Sequence, residues 1–145
     1  MGRIISGESP VTLRNRLSKA IILAIRELMQ QTQPDELSKD LAAFIVLSLE
    51  TISDSINKTV IAWEKRDYWL KADKFRMDWA WTESLEIAMK KALFEESWEE
   101  IGKISIKIAE KFQGIKVSNN HRMGTPWVGA YKAMCATRNG QQIRV

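Results

Sequence analysis

Between Pro34 and Gly102 the chain contains neither proline nor glycine. A stretch of 67 residues without either backbone breaker, rich in Leu, Ile, Ala, Glu and Lys, favours long helices, because these side chains lose little rotamer freedom on a helical backbone. No segment shows the two-residue alternation of a strand closed by a turn dipeptide until Asn139-Gly140, and that pair lies too near the end to open a useful hairpin. The expected fold is all-α, a bundle of four to five helices with a short C-terminal helix. At 145 residues one ordinary core suffices, so a single domain is expected over 1–145, with its core at about 9–137 and a frayed tail over the last five residues.

The apolar spacing places the helices. Ser9-Pro10 is a capping hydroxyl followed by a first-turn proline, and Leu13, Leu17, Ile21, Ala24 and Leu28 then mark one face of a helix running to about Gln31. A second helix starts after Pro34, with Asp35 and Glu36 at its positive end and Leu41, Ile45, Leu49, Ile52, Ile56 and Val60 on its buried face. The apolar phase blurs around Glu64 to Asp67, which predicts a break there. A third helix is marked by Trp81, Leu85, Ala88 and Ala92. Ser97 with Glu100 reads as a capping box opening a fourth, whose buried face is Ile101, Ile104, Ile108 and Phe112 and which Gly114 ends. After a polar connection, Lys116 to Gly124, Thr125-Pro126 predicts the start of a short helix through Trp127, Tyr131 and Met134 that stops at Asn139-Gly140.

Composition narrows the function. One cysteine, Cys135, excludes an intrachain disulfide framework and a multi-cysteine metal site, and one histidine, His121, leaves few ligands for a metal centre. No Gly-rich phosphate loop, Walker lysine motif, Gly-x-Ser-x-Gly elbow or zinc-spaced cluster occurs, so the expectation is a protein that is not an enzyme, with no catalytic residue, metal or cofactor. The apolar runs are far shorter than the roughly 20 residues that span a bilayer, and Met-Gly-Arg-Ile-Ile lacks a secretory apolar region; a cytoplasmic protein without a membrane partner is expected.

The net charge of +4 is unevenly distributed. Residues 1–33 carry five basic and two acidic side chains, residues 34–102 nine and fifteen, and residues 103–145 eight and one. Basic ends flanking an acidic centre favour a polyanionic partner. Lys103, Lys107 and Lys111 recur at every fourth residue and rise about 6 Å per step along one helix, close to twice the ~3.4 Å axial spacing of phosphates on a strand. The same lysines also read as a plain solvated face, with Glu99 pairing to Lys103. Arg14, Arg16, Lys19 and Arg26 on the first helix form a second basic group, although not all on one face, and Arg suits bidentate phosphate bonding. Lys116 and Arg122, with Asn119, Asn120 and His121, supply a third in the polar connection.

Trp63, Trp69, Trp79 and Trp81 fall within nineteen positions and alternate with Lys65, Arg66, Lys71, Lys74 and Arg76. Exposed rings could stack on bases, but tryptophan at helical spacing more often packs in a core or an interface. The alternative function is therefore a helical protein–protein interaction or scaffold protein that uses this Trp-rich surface. A carboxylate metal site from Asp73, Asp78, Glu83 and Glu86 is a distant third, since no Glu-x-x-His pair accompanies them.

A compact all-α chain of this length, with basic ends, no catalytic motif and a core built on helices one, two and four, resembles the small subunit of CRISPR surveillance (Cascade) complexes over roughly residues 9–137. The resemblance implies a noncatalytic antiviral-defense module, present in more than one copy along the belly of a ribonucleoprotein. Its partners would be guide RNA, the target DNA backbone and other subunits, including further copies of itself, and its basic surfaces would steady the guide–target duplex or the displaced strand while the guide reads sequence. Some such subunits are produced from an internal start in the large-subunit gene, and a chain opening almost directly into its first helix suits that origin. The family offers no short motif to match residue by residue, so the contact residues expected here rest on the charge pattern alone.

Overall fold

The computed structural model describes residues 8–118 and 121–138, and they form an all-α bundle of five helices: α1 (Pro10–Gln30), α2 (Glu36–Lys65), α3 (Trp69–Phe94), α4 (Trp98–Lys111) and the short α5 (Ala130–Arg138). Asn119 and Asn120, the Asn139-Gly140 stop and the tail beyond it lie outside the described residues. None of the helices among the described residues is long and apolar enough to cross a membrane.

The first two helices start where the sequence places them. The amide of Thr12 donates to Ser9 Oγ at 3.1 Å, with Pro10 in the first turn, and the amide of Ser38 donates to Asp35 Oδ1 at 2.9 Å. Each bond satisfies an amide that the helix itself leaves free.

The breaker-free stretch is divided by two turns of the same construction. At the end of α2 the amides of Asp67 and Tyr68 donate back to the carbonyls of Glu64 and Trp63 at 3.0 and 2.9 Å. At the end of α3 the amides of Glu96 and Ser97 donate to Leu93 and Ala92 at 3.0 and 2.9 Å. This is the Schellman pattern, which needs a left-handed residue and usually takes glycine. Here Asp67 (φ 63°) and Glu96 (φ 52°) fill the role. The second turn overrides the expected capping box. Ser97 is spent closing α3, its hydroxyl makes no capping bond, and Glu100 reaches Lys103 instead, at 3.8 Å.

Helix α2 is the hub. Its face of Leu41, Ile45, Leu49 and Ile52 is fully buried, and it packs most extensively on α3, then on α1 and α5. Burial of each such side chain stabilises by roughly 1.5–3 kcal/mol. The buried core draws on helices one, two and four as expected, with α1 and α2 supplying most of it, and α3 joins them through Ala72, Met89, Ala92 and Leu93; α4 lies against α3 and, less extensively, α1.

Helix α5 begins four residues later than the Thr125-Pro126 signal predicts. Residues 126–129 form a turn, and Gly129 adopts φ +84°, which a continuing helix cannot contain. The helix proper is started from outside: Asp40 on α2 accepts the amides of Gly129 and Tyr131 at 3.1 and 3.0 Å. Trp127 is buried beside Phe44, ring centroids 6.3 Å apart, and anchors this segment to α2.

Candidate nucleic-acid interface

Helix α4 buries Ile101, Ile104, Ser105 and Ile108, followed by Phe112, and turns Lys103, Lys107 and Lys111 to solvent. Successive lysines are rotated by about 40°, so the row winds slowly around the outer surface. Lys103 lies 3.6 Å from Glu99 and 3.8 Å from Glu100, so its charge is partly balanced. Lys107 and Lys111 make no ion pair among the described residues.

The cations of α1 have different fates. Arg14 is buried: its Nη1 donates to Ser55 Oγ at 3.0 Å and its guanidinium lies 5.2 Å from the centre of the Phe75 ring. Desolvation pulls its pKa below the usual arginine value, and the side chain is not available to a phosphate. The sequence expectation for Arg14 is therefore corrected, because α2 and α3 close over the face it occupies. Arg16 holds Glu8 in a bidentate pair at 2.8 and 3.0 Å, which keeps the Glu8 carboxyl below its ordinary range. Arg26 is exposed, but its Nη1 donates to the carbonyl of Val117 at 3.2 Å and ties the segment after α4 to α1. Lys19 is exposed.

The two groups do not share a face. A cleft between the end of α1 and the start of α4 is lined by Leu28, Met29, Trp98, Ile101 and Gly102, so α1 borders the Gly102 edge of α4. Lys107 lies about 140° around the helix from Gly102, on the far side. Lys116 and Arg122 are both exposed on the segment that Arg26 holds, where His121 Nδ1 accepts the amide of Met123 at 3.2 Å. The cations thus form a lysine row on α4 and a separate collection around α1 and residues 116–122.

The tryptophans divide as well. Trp63 packs on Phe75 at 5.0 Å, and Trp81 on the buried Phe112 at 5.2 Å and on Trp79 at 6.1 Å, the three tryptophans being half-buried. Trp69, in contrast, stands with Tyr68 and Leu70 on the exposed α2–α3 tip. Lys71 lies over Trp63 at 4.4 Å. The four carboxylates of α3 spread around the helix rather than converging. Asp73 pairs with Arg76 at 2.6 Å, Asp78 with Lys74 at 3.3 Å and Glu86 with Lys90 at 3.3 Å.

Sequence reading missed the structural use of Arg14 and Arg26. The visible signal for Arg14 was its place one turn before Leu17 and Ser18, on the buried side of α1; the Val117 contact of Arg26 spans 91 residues and left no local mark. The class defined by fold and site is an all-α five-helix bundle carrying a solvent-facing lysine row. No protein-family model, curated protein or solved structure matches the chain.

Proposed function

We propose that the protein is a noncatalytic helical subunit that holds nucleic-acid backbone through the lysine row of α4, within a ribonucleoprotein of the CRISPR surveillance kind and hence in the cytoplasm. The observation that carries this reading is the exposure of Lys103, Lys107 and Lys111 along one helix, in steps of about 6 Å, on a row that starts across the helix from the buried isoleucines and winds toward their edge. Phosphates of a guide–target duplex or a displaced strand are the matching partner, since a row of ammonium groups positions backbone without reading bases. Exposed Lys19, Lys116 and Arg122 add positive charge on a second face, while Arg14, Arg16 and Arg26 serve the fold.

Three phosphate contacts predict that log affinity falls with log salt at a slope of about −2.7 on duplex. Reversing Lys103, Lys107 and Lys111 to Glu should abolish binding and the slope. Wild-type protein that binds neither single strand nor duplex, alone or in its assembled complex, would refute the reading.

A further inference from the structure

The outer face of α3 carries a seven-residue repeat that the bundle leaves uncovered. Its buried side is formed by Ala72, Thr82, Glu86, Met89 and Leu93. Diametrically opposite stand Leu70, Asp73, Met77, Ala80, Ser84 and Ile87, spaced three and four residues apart, as in the contact seam of a coiled coil. All six are exposed, Leu70 at 87%, Met77 at 76% and Ile87 at 58%. A helix with apolar residues on both sides is normally covered on both.

We propose that this stripe pairs with the same stripe of a second copy, antiparallel across a two-fold axis. The pattern is self-complementary in one register. Opposing Leu70 with the partner's Ile87 brings Met77 against the partner's Ala80 and Asp73 against the partner's Ser84. A long side chain then lies over a small one, and a carboxylate can accept from a hydroxyl. The flanking charges select that register. It sets Arg76, which also pairs with Asp73 and Glu64 of its own copy, beside the partner's Glu83, twice by symmetry. Sliding one copy by seven residues in one direction opposes Glu83 with Glu83 and Arg76 with Lys90, and in the other direction Arg76 with Arg76. A parallel in-register pair would face Asp73 with Asp73 along the seam. Of these arrangements only the first opposes no two like charges directly, the Asp73 that borders the partner's Glu83 being held by Arg76.

The inference does not rest on the nucleic-acid reading, and its test contains no nucleic acid. In sedimentation equilibrium the chain of 16.7 kDa should show a concentration-dependent mass approaching twice that value. Met77→Glu, at a position that is already solvent-exposed, should weaken association at least tenfold without changing the far-UV circular dichroism, and Glu83→Arg should do so through repulsion from Arg76. In a Cys135→Ser background, Leu70→Cys with Ile87→Cys should oxidise to a disulfide-linked dimer. Leu70→Cys alone should not, because the two copies of position 70 would lie about 26 Å apart. A monomer at every concentration, association untouched by Met77→Glu, or cross-linking by Leu70→Cys alone would overturn the proposal.

Discussion

The Arg14 guanidinium donates to Ser55 Oγ at 3.0 Å and faces the Phe75 ring at 5.2 Å, so a basic residue from α1 joins α2 and α3 inside the bundle. It is held by a neutral partner, and burial disfavours its charge. Removing the side chain should therefore cost more than removing the charge. Arg14→Ala is expected to lose about 1–3 kcal/mol in urea unfolding, through lost packing and an unsatisfied Ser55. Arg14→Met, which keeps the aliphatic stem, should match the wild type within about 1 kcal/mol or exceed it. Neither change should alter nucleic-acid affinity once the protein is folded.

Both turns of the breaker-free stretch place a side chain where glycine is ordinarily found. Asp67 at φ 63° and Glu96 at φ 52° each carry the left-handed steric cost, and Asp tolerates that region better than Glu. Glu96→Gly should thus stabilise by about 0.5–1 kcal/mol and Asp67→Gly by less, since glycine's greater freedom in the unfolded chain offsets part of the gain. Thermal melts of the two variants would show the order; a loss in both would mean that the side chains contribute contacts beyond the turn.

These turns also show where the sequence was legible. Local signals with a short reach were readable: the Ser9 cap, the start of α2 after Pro34, the blurred phase at 64–67 and the isoleucine face of α4 all lie where spacing put them. The all-α class followed from the same spacing. Features made by residues far apart were not readable. The Ser97–Glu100 pair has the spacing of a capping box, yet closing α3 consumed its first member. Arg14 shares the Leu17–Ser18 side of α1 and Lys19 does not, but the Ser55 and Phe75 partners that α2 and α3 bring to Arg14 lie far away in sequence. The cations of α1 and the lysines of α4 stand on separate faces for a related reason: α1 borders the opposite edge of α4 from the lysines.

Asp40 offers a test of how α5 is held. Its two oxygens accept the Gly129 and Tyr131 amides, although those residues lie 89 and 91 positions away, so a carboxylate on α2 acts as the cap of another helix. Asp40→Ala should cost about 0.5–2 kcal/mol and should accelerate amide exchange at 129–134 before any change in α2 or α3. Loosening should also expose Trp127 and shift its fluorescence to the red. Asp40→Asn, which retains one acceptor, should fall between the two proteins.

Glu86 sets a pH dependence whose sign can be worked out. Its side chain is only 9% exposed on the α2-facing side of α3, and Lys90 is 3.3 Å away, shared with Glu50 at 3.8 Å. Burial is the larger influence and raises the Glu86 carboxyl above its ordinary 4.5, with Glu50 and Glu83 adding to it and Lys90 opposing. Well below 4.5 both folded and unfolded chains hold the proton, and Glu86 imposes no cost. As pH rises past that value the unfolded chain ionises first, so this residue's contribution to stability declines until the folded carboxyl has ionised too. Glu86→Gln removes the effect while keeping the shape, and Lys90 retains Glu50. The variant should therefore unfold at a higher temperature than wild type at pH 7, by an amount on the order of 1 kcal/mol or less. The difference should shrink toward zero as the melts are repeated at pH values falling below 4.5. A variant less stable at pH 7 would show that the Lys90 bond outweighs the desolvation of the carboxylate.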